Sequence, residues 1–372
     1  MSASIRAGNA APARRAARGA AWASRGGALL IGLFVFVGAL QLMKTGAASL
    51  GVLQAGSALV ENALATLGLG WLGAVVMLSG SPMAATSLTL VAAGEERGGG
   101  LSEIEGFTMV MGSRLGAAFV VLLVAVAYAL RAGEGRRAPV ATAVLALAAT
   151  AVVYVPATGL GLALLSWERF SAIEIGFPAA VVDLVDLLYG GLTERAEELP
   201  AAAVFLAGLA LLFLAFKLID LALPHLDDAA VARRPAWLRR TWPMFALGAG
   251  VGLVTMSVSV SLSILVPLVA KNVVRREYVL PYIMGANITT LGDTLLAAFA
   301  LDSPAAVRVL LAALAAATAV SLAVLALLYR PVWTALWGVQ TTVTASRTRL
   351  AVFTGGVLLV PVLALGLGAA VG

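Results

Sequence analysis

The 372-residue chain contains no cysteine and one histidine, His225. The first absence removes any disulfide framework and any thiolate metal site, and the second leaves little for imidazole catalysis or zinc. Charge is scarce as well: Asp, Glu, Lys and Arg make up 12% of the residues, against 61% apolar, where a soluble domain carries about 25% charged residues. That balance excludes an ordinary soluble domain, and it excludes a disordered chain, which is poor in apolar residues. The chain also lacks a nucleotide-cradling glycine loop, a metal-ligand cluster and a nucleophile–base arrangement, so neither an enzyme nor a resident cofactor is expected. The 25 cations outnumber the 19 acids, for a net charge of +6. In so apolar a chain this excess marks cytoplasmic loops rather than a nucleic-acid partner.

What is present is a series of long apolar runs. Crossing about 30 Å of hydrocarbon takes roughly 20 helical residues. Charge-free stretches of that order lie between Arg137 and Glu168, Glu198 and Lys217, Arg308 and Arg330, and after Arg349. A fifth span is expected from Gly27 to Met43, and a sixth from Leu115 to Leu130 whose shortness draws Gly112 to Arg114 into the membrane. Two further runs are too long and too broken for one helix. Glu61 to Glu95 contains Ser79-Gly80-Ser81-Pro82, and Arg240 to Lys271 carries serines at alternate positions, Ser257, Ser259, Ser261 and Ser263. Polar, interrupted backbone at membrane depth is tolerated only where protein or a water-filled cavity satisfies it. Re-entrant or discontinuous helices are therefore expected in both.

Basic residues set the expected orientation. Arg6, Arg14, Arg15, Arg18 and Arg25 precede the first span and read as an uncleaved cytoplasmic arm rather than a signal peptide. That choice also puts inside the loops around Arg131, Arg136 and Arg137, around Arg233, Arg234, Arg239 and Arg240, and around Arg330, Arg347 and Arg349. The segment from Ser166 to Leu199 holds only Arg169 and Arg195 beside many acids, so it faces out. The expected location is the cell membrane, with the N-terminus cytoplasmic.

The landmarks repeat. From Gly27 the Ser79 break lies 52 residues on and Gly112 lies 85 on; from Pro200, Ser257 lies 57 on and Gly285 lies 85 on. Gly27 starts inside and Pro200 outside, so the halves are inverted relative to each other. Each half reads as a span, a broken serine-rich segment, a second polar break near a Gly-x-x motif, and a closing span. The expected fold class is all-α: a polytopic membrane protein with two inverted-topology repeats, each containing discontinuous or re-entrant helices. The expected organisation is a basic arm over 1–26, a first repeat over 27–165 and an acidic extracellular connector with an amphipathic helix over 166–199. A second repeat over 200–330 and a linker with a terminal span over 331–372 complete it.

A helix broken at mid-membrane leaves unpaired N–H groups at one end and unpaired C=O groups at the other, which attract anions and cations respectively. Nearby hydroxyls add donors for oxyanion oxygens and acceptors for a small hard cation. The candidate clusters are Ser79, Ser81, Thr86 and Ser87 in the first half and Ser257, Ser259, Ser261 and Ser263 in the second. Small residues that merely let membrane helices approach closely are the competing reading.

Gly285-Ala286-Asn287-Ile288-Thr289-Thr290 resembles the GANIGTT element of the sodium/phosphate cotransporter family. About 29 residues earlier, where the family's QSSS element stands, the chain has Met256-Ser257-Val258-Ser259, followed by Leu265-Val266-Pro267-Leu268. The first-half counterparts are Leu78-Ser79-Gly80-Ser81 and Gly112-Ser113-Arg114-Leu115-Gly116. The chain is identified by this resemblance as a divergent member of the type II-like family, over roughly residues 27 to 330. The resemblance implies inverted repeats with re-entrant hairpins, phosphate held near their tips, sodium as coupling ion, and a homodimer. Carried over by position, it nominates Ser79, Gly80, Ser81, Ser257, Ser259, Asn287 and Thr290 for phosphate or a similar small oxyanion. For sodium, the motif asparagine Asn287, the nearby hydroxyls of Ser261 and Thr289, and the intramembrane Asp293 are the candidates. Both family glutamines are apolar here, as Leu78 and Met256, and the first-half asparagine is Arg114.

An ionisable group near the bilayer centre costs at least about 2.5 to 3.5 kcal/mol, so it needs a partner or a purpose. Arg114 stands at the pseudo-symmetric position of Asn287, and Asp293 lies six residues beyond Asn287. Two readings stay open: the guanidinium holds an oxyanion, or Arg114 and Asp293 form a buried structural pair. The expected function is a sodium-coupled phosphate or oxyanion transporter working by alternating access in the lipid bilayer. Proton-coupled or uncoupled anion passage through Arg114 and Asp293, or a transport-inactive scaffold, are the alternatives.

Overall fold

The computed structural model describes residues 10–50, 57–97, 100–131, 137–173, 175, 179–222, 240–256, 261–262, 265, 269 and 274–371. Among these, regular structure is entirely helical. In chain order the helices are α1 (Ala10–Ala47), α2 (Ala63–Val76), α3 (Gly80–Arg97), α4 (Glu103–Arg131), α5 (Arg137–Leu165), α6 (Glu168–Ser171), α7 (Ala179–Glu197) and α8 (Ala201–Ala222). They continue as α9 (Thr241–Thr255), α10 (Val279–Thr289), α11 (Gly292–Ala300), α12 (Pro304–Ala323), α13 (Tyr329–Thr344) and α14 (Arg347–Val371). A 3-10 turn, Arg276–Tyr278, leads into α10, and a π-helical turn, Val324–Leu328, joins α12 to α13.

Seven of the helical stretches are long and apolar enough to cross a bilayer: Gly26–Ala47, Glu103–Leu123, Val140–Leu165, Ala201–Ile219, Arg276–Ala300, Pro304–Thr344 and Arg347–Val371. The protein is thus a polytopic all-α membrane protein. The first of these spans belongs to a helix that already begins at Ala10, so much of the basic arm is continuous with it. Burial separates centre from rim: 94% of the α4 span window is buried but only 11% of that of α14, which leaves most of α14 on the outside of the helix bundle.

Local chemistry explains where helices begin. The Asn62 side chain caps α2 by accepting from Leu64 N at 3.1 Å and Ala65 N at 3.0 Å. Its amide donates to Gly368 O at 2.8 Å, tying α2 to α14. Ahead of α4, Ser102 and Glu105 form a reciprocal capping box, with Ser102 N donating to Glu105 Oε2 at 2.9 Å. Ser303 caps α12, and Pro304 follows at the position where a missing N–H costs nothing.

Two helix pairs carry matching contacts. A Cβ on Gly70 of α2 would strike Met109 O of α4, and one on Gly112 of α4 would strike Leu67 O and, at 3.0 Å, Trp71 N of α2. In the second pair, Gly248 of α9 meets Tyr282 O of α10, while Gly285 of α10 meets Phe245 O and, at 2.7 Å, Ala249 N of α9. Gly70 and Gly248, Leu67 and Phe245, and Trp71 and Ala249 are each 178 residues apart; Gly112 and Gly285, and Met109 and Tyr282, are each 173 apart. These backbones touch because both crossing points lack a side chain.

α2 and α9 are each followed by a left-handed residue. Leu78 (φ 52°) and Met256 (φ 46°) are left-handed, again 178 residues apart. After α2, Ser79 N donates to Ala74 O at 3.0 Å and Leu78 N to Val75 O at 3.2 Å, a Schellman end with leucine where glycine is usual. The expected break at Ser79 is therefore present, and α3 starts at Gly80. Ser257 to Val260 lie outside the described residues. One expectation is corrected: no break occurs near Gly112, because α4 runs unbroken from Glu103 to Arg131. Its second-half counterpart is interrupted only at Thr290 and Leu291, which separate α10 from α11 and keep right-handed dihedrals.

Candidate functional site

α3 begins at Gly80, just after Ser79, and within its first turn Gly80 and Ser81 carry backbone N–H groups with no intrahelical partner while Pro82 has none. It docks on α4: a Cβ on Gly80 would lie 2.8 Å from Ala117 Cβ and 2.9 Å from Ser113 O. This sets the tip beside Arg114, which is 2% exposed. Gly80 and Ser81 are buried and Ser79 is half-buried.

Arg114 reaches across to the second half. Its Nη2 donates to Thr294 Oγ1 at 2.6 Å and lies 3.9 Å from Asp293 Oδ1. Thr294 in turn donates to Asp293 Oδ1 from its backbone N at 2.5 Å and from its hydroxyl at 2.9 Å. Ser81 also interacts with the Asp293 carboxylate, so α3, α4 and α11 converge here. The network is incomplete. Arg114 Nε and Nη1 and Asp293 Oδ2 are buried and have no hydrogen-bond partner among the described residues. A buried donor without an acceptor costs about 1–3 kcal/mol, and more when charged, so two such nitrogens on one guanidinium define a place for an acceptor.

A fourth helix closes the site. Tyr154 of α5, within electrostatic reach of Arg114 and Asp293, donates its hydroxyl to Asn287 O at 2.9 Å. One turn earlier Thr150 Oγ1 accepts from Asn287 Nδ2 at 3.0 Å. Thr150, Tyr154 and Thr294 are the residues that the sequence reading missed. The first two carry a signal of their own, hydroxyls four residues apart within an otherwise apolar run.

The other nominated residues are placed as follows. Thr290 is buried and its hydroxyl donates to Asn287 O at 3.3 Å. Thr289 turns away from the cluster, donating to Ala249 O of α9 at 2.7 Å. Ser261 lies against Tyr282, with 3.3 Å between their hydroxyl oxygens, and Tyr282 OH also donates to Ser261 O at 3.0 Å. The four residues nominated for sodium thus bond to four different sets of partners. Ser257 and Ser259 fall outside the described residues. Thr86 donates to Pro82 O within α3 at 2.8 Å, and Ser87 donates to Gly106 O of α4 at 2.7 Å, where it serves the α3–α4 contact.

One end of the molecule ties the halves together. Lys44 pairs with Glu96 and donates to Leu301 O at 3.2 Å, while Gln41 donates to Ala300 O at 3.0 Å. Glu95 accepts from Ser303 Oγ at 2.5 Å, and Arg308 pairs with Glu103 at 2.5 Å. Asp302, left-handed with φ 47°, makes the tight corner between α11 and α12 that positions these groups.

The arrangement offers an anion a fixed guanidinium with two open nitrogens, hydroxyls, and the N-terminal turn of α3, all walled by apolar helices. Among the described residues no three Asp, Glu, His or Cys side chains gather as a metal site. No protein-family model, curated protein or solved structure matches the chain.

Proposed function

We propose that the protein is a secondary transporter for phosphate or a similar small oxyanion, with Arg114 as its principal anion ligand. The observation that carries this reading is the buried guanidinium whose Nε and Nη1 lack partners beside the first turn of α3. A guanidinium suits oxyanions because its planar N–H groups match their oxygens. Ser81, Thr294 and the Asn287–Tyr154 pair complete the cradle. The matching contacts at Gly70/Gly112 and Gly248/Gly285, and the matching left-handed residues, support two related halves that rock against each other. The inverted relation of those halves, the cell-membrane location, the cytoplasmic N-terminus and a homodimeric assembly are parts of the same proposal.

Sodium coupling rests on the resemblance of Gly285–Thr290 to the sodium/phosphate cotransporter element. A second reading has its own support: Arg114 already sets a fixed positive charge 3.9 Å from Asp293, where the family has a neutral asparagine. In that reading anion passage needs no sodium.

Equilibrium binding of radiolabelled phosphate to the purified protein tests the proposal, in sodium and in potassium. Saturable binding that sodium tightens is expected. Equal binding in both cations favours the second reading, and no binding of phosphate or competing oxyanions overturns the transporter proposal.

A further inference from the structure

A second basic site lies apart from Arg114, at the far end of α10. The 3-10 turn Arg276–Tyr278 precedes α10, whose 11 residues put about 16 Å of helix between this turn and the Asn287 region at 1.5 Å per residue. Arg275, Arg276 and Glu277 here face Trp333 and Trp337 of α13 across a cavity of about 360 Å³. The two tryptophans stand one turn apart with ring centroids 5.7 Å from each other, and the Arg276 guanidinium lies 5.7 Å from the Trp337 ring. Tyr329 OH donates to Glu277 O and fastens the turn to α13.

The charge here is unbalanced. Arg275 meets Glu277 only at 3.5 Å, with their side chains 59% and 46% exposed, and Arg276 has no carboxylate partner among the described residues. Two cations therefore share one acid. The level of the site is set by what precedes it. Leu327 is 79% exposed and Leu328 49%, as suits side chains facing acyl chains. From Tyr329 and Arg330 onward α13 buries only the stripe Leu336, Gln340 and Val343 and exposes Thr334, Thr341 and Thr342. The switch from bare leucines to tyrosine, arginine and tryptophan marks the hydrocarbon–headgroup boundary.

We infer that this cavity binds the headgroup of an anionic phospholipid from the surrounding leaflet. Arg275 and Arg276 hold the phosphodiester, the Trp333–Trp337 pair walls the glycerol region, and the acyl chains lie along Leu327 and Leu328. The volume falls within the range of about 300–1,000 Å³ usual for small-molecule sites. A membrane lipid, rather than a soluble anion, is indicated by the exposed Leu327 and Leu328, which precede Trp333 and Trp337 on the same helical stretch. The site stands independently of what the Arg114 cluster carries.

The test uses the full chain in nanodiscs of phosphatidylcholine with a minor fraction of brominated phosphatidylglycerol or, in parallel, brominated phosphatidylcholine. Bromine quenches nearby tryptophan, and Trp333→Phe/Trp337→Phe protein defines the contribution of the other five of the 7 tryptophans. Greater quenching by the brominated phosphatidylglycerol is expected, confined to Trp333 and Trp337. A basic residue near an anionic surface contributes about 1 kcal/mol, so each arginine removed weakens the preference about fivefold. Arg275→Gln/Arg276→Gln therefore abolishes the excess, while Arg275→Lys/Arg276→Lys retains much of it. Equal quenching by the two lipids overturns the inference. So does an excess that survives either the glutamine or the phenylalanine substitutions, or one that millimolar inorganic phosphate removes, which would mean a soluble-anion site.

Discussion

Replacing Arg114 with glutamine separates the two roles that its surroundings allow. In the native protein Nη2 is committed to Thr294 at 2.6 Å and to Asp293 at 3.9 Å, while Nε and Nη1 are open. Arg114→Gln leaves Asp293 buried with Thr294 and Ser81 as its remaining partners, and breaking a buried pair from one side costs about 3–5 kcal/mol. Adding Asp293→Asn removes the second charge, so no uncompensated buried charge remains to carry that cost. The double variant should therefore recover most of the lost thermal stability in detergent. Anion binding should not recover. A hydrogen bond to a charged group contributes about 1.5–3 kcal/mol, so losing two of them weakens phosphate binding about 100-fold or more. Thermal unfolding and radiolabelled phosphate binding, measured on both variants, make the comparison. A stable Arg114→Gln/Asp293→Asn protein that binds phosphate with native affinity would refute the reasoning and leave Arg114 as a structural partner of Asp293.

Tyr154→Phe removes the 2.9 Å bond to Asn287 O and about 1 kcal/mol; phosphate binding should weaken about fivefold with the fold intact, and unchanged affinity would separate α5 from the site. Gly112→Ala forces a methyl into Leu67 O and Trp71 N and should cost about 1–3 kcal/mol, read as a lower unfolding midpoint and a smaller monodisperse peak. Gly159→Ala, with nothing within 4 Å of the added Cβ, should be neutral or gain about 0.5–1 kcal/mol. Leu78→Gly relieves a left-handed leucine and should stabilise the protein by about 1 kcal/mol, with a drop in midpoint as the contrary result.

The spans were legible because membrane helices announce themselves through length and absence of charge. The Ser79 break was legible too, from Gly80 and Pro82 inside an apolar run, and Arg114 and Asp293 stood out as charges with nowhere else to go. The left-handed leucine at the tip had no such signal, since glycine is the residue that usually marks that conformation. The continuity of α4 through Gly112 was not legible either. A glycine that lets two helices touch looks the same in sequence as one that ends a helix, and only the contact with Leu67 and Trp71 separates the two. Nor does sequence tell which hydroxyls face a site. Thr289 and Thr290 are adjacent, yet one bonds across to Ala249 and the other stays on its own helix beneath Asn287. The segment expected as a linker after residue 330 is largely helical as α13, because its buried stripe appears only once α5 and α14 pack against it.

Transport of a small oxyanion is tested most directly by radiolabelled phosphate uptake into liposomes containing the purified protein. An inward sodium gradient is compared with an equal potassium gradient, and Arg114→Gln/Asp293→Asn protein serves as the folded control. The expected result is accumulation that saturates with phosphate, that the double variant lacks, and that sodium enhances if the resemblance to the cotransporters extends to coupling. No uptake of phosphate or of other oxyanions by folded, membrane-inserted protein would contradict the proposed function.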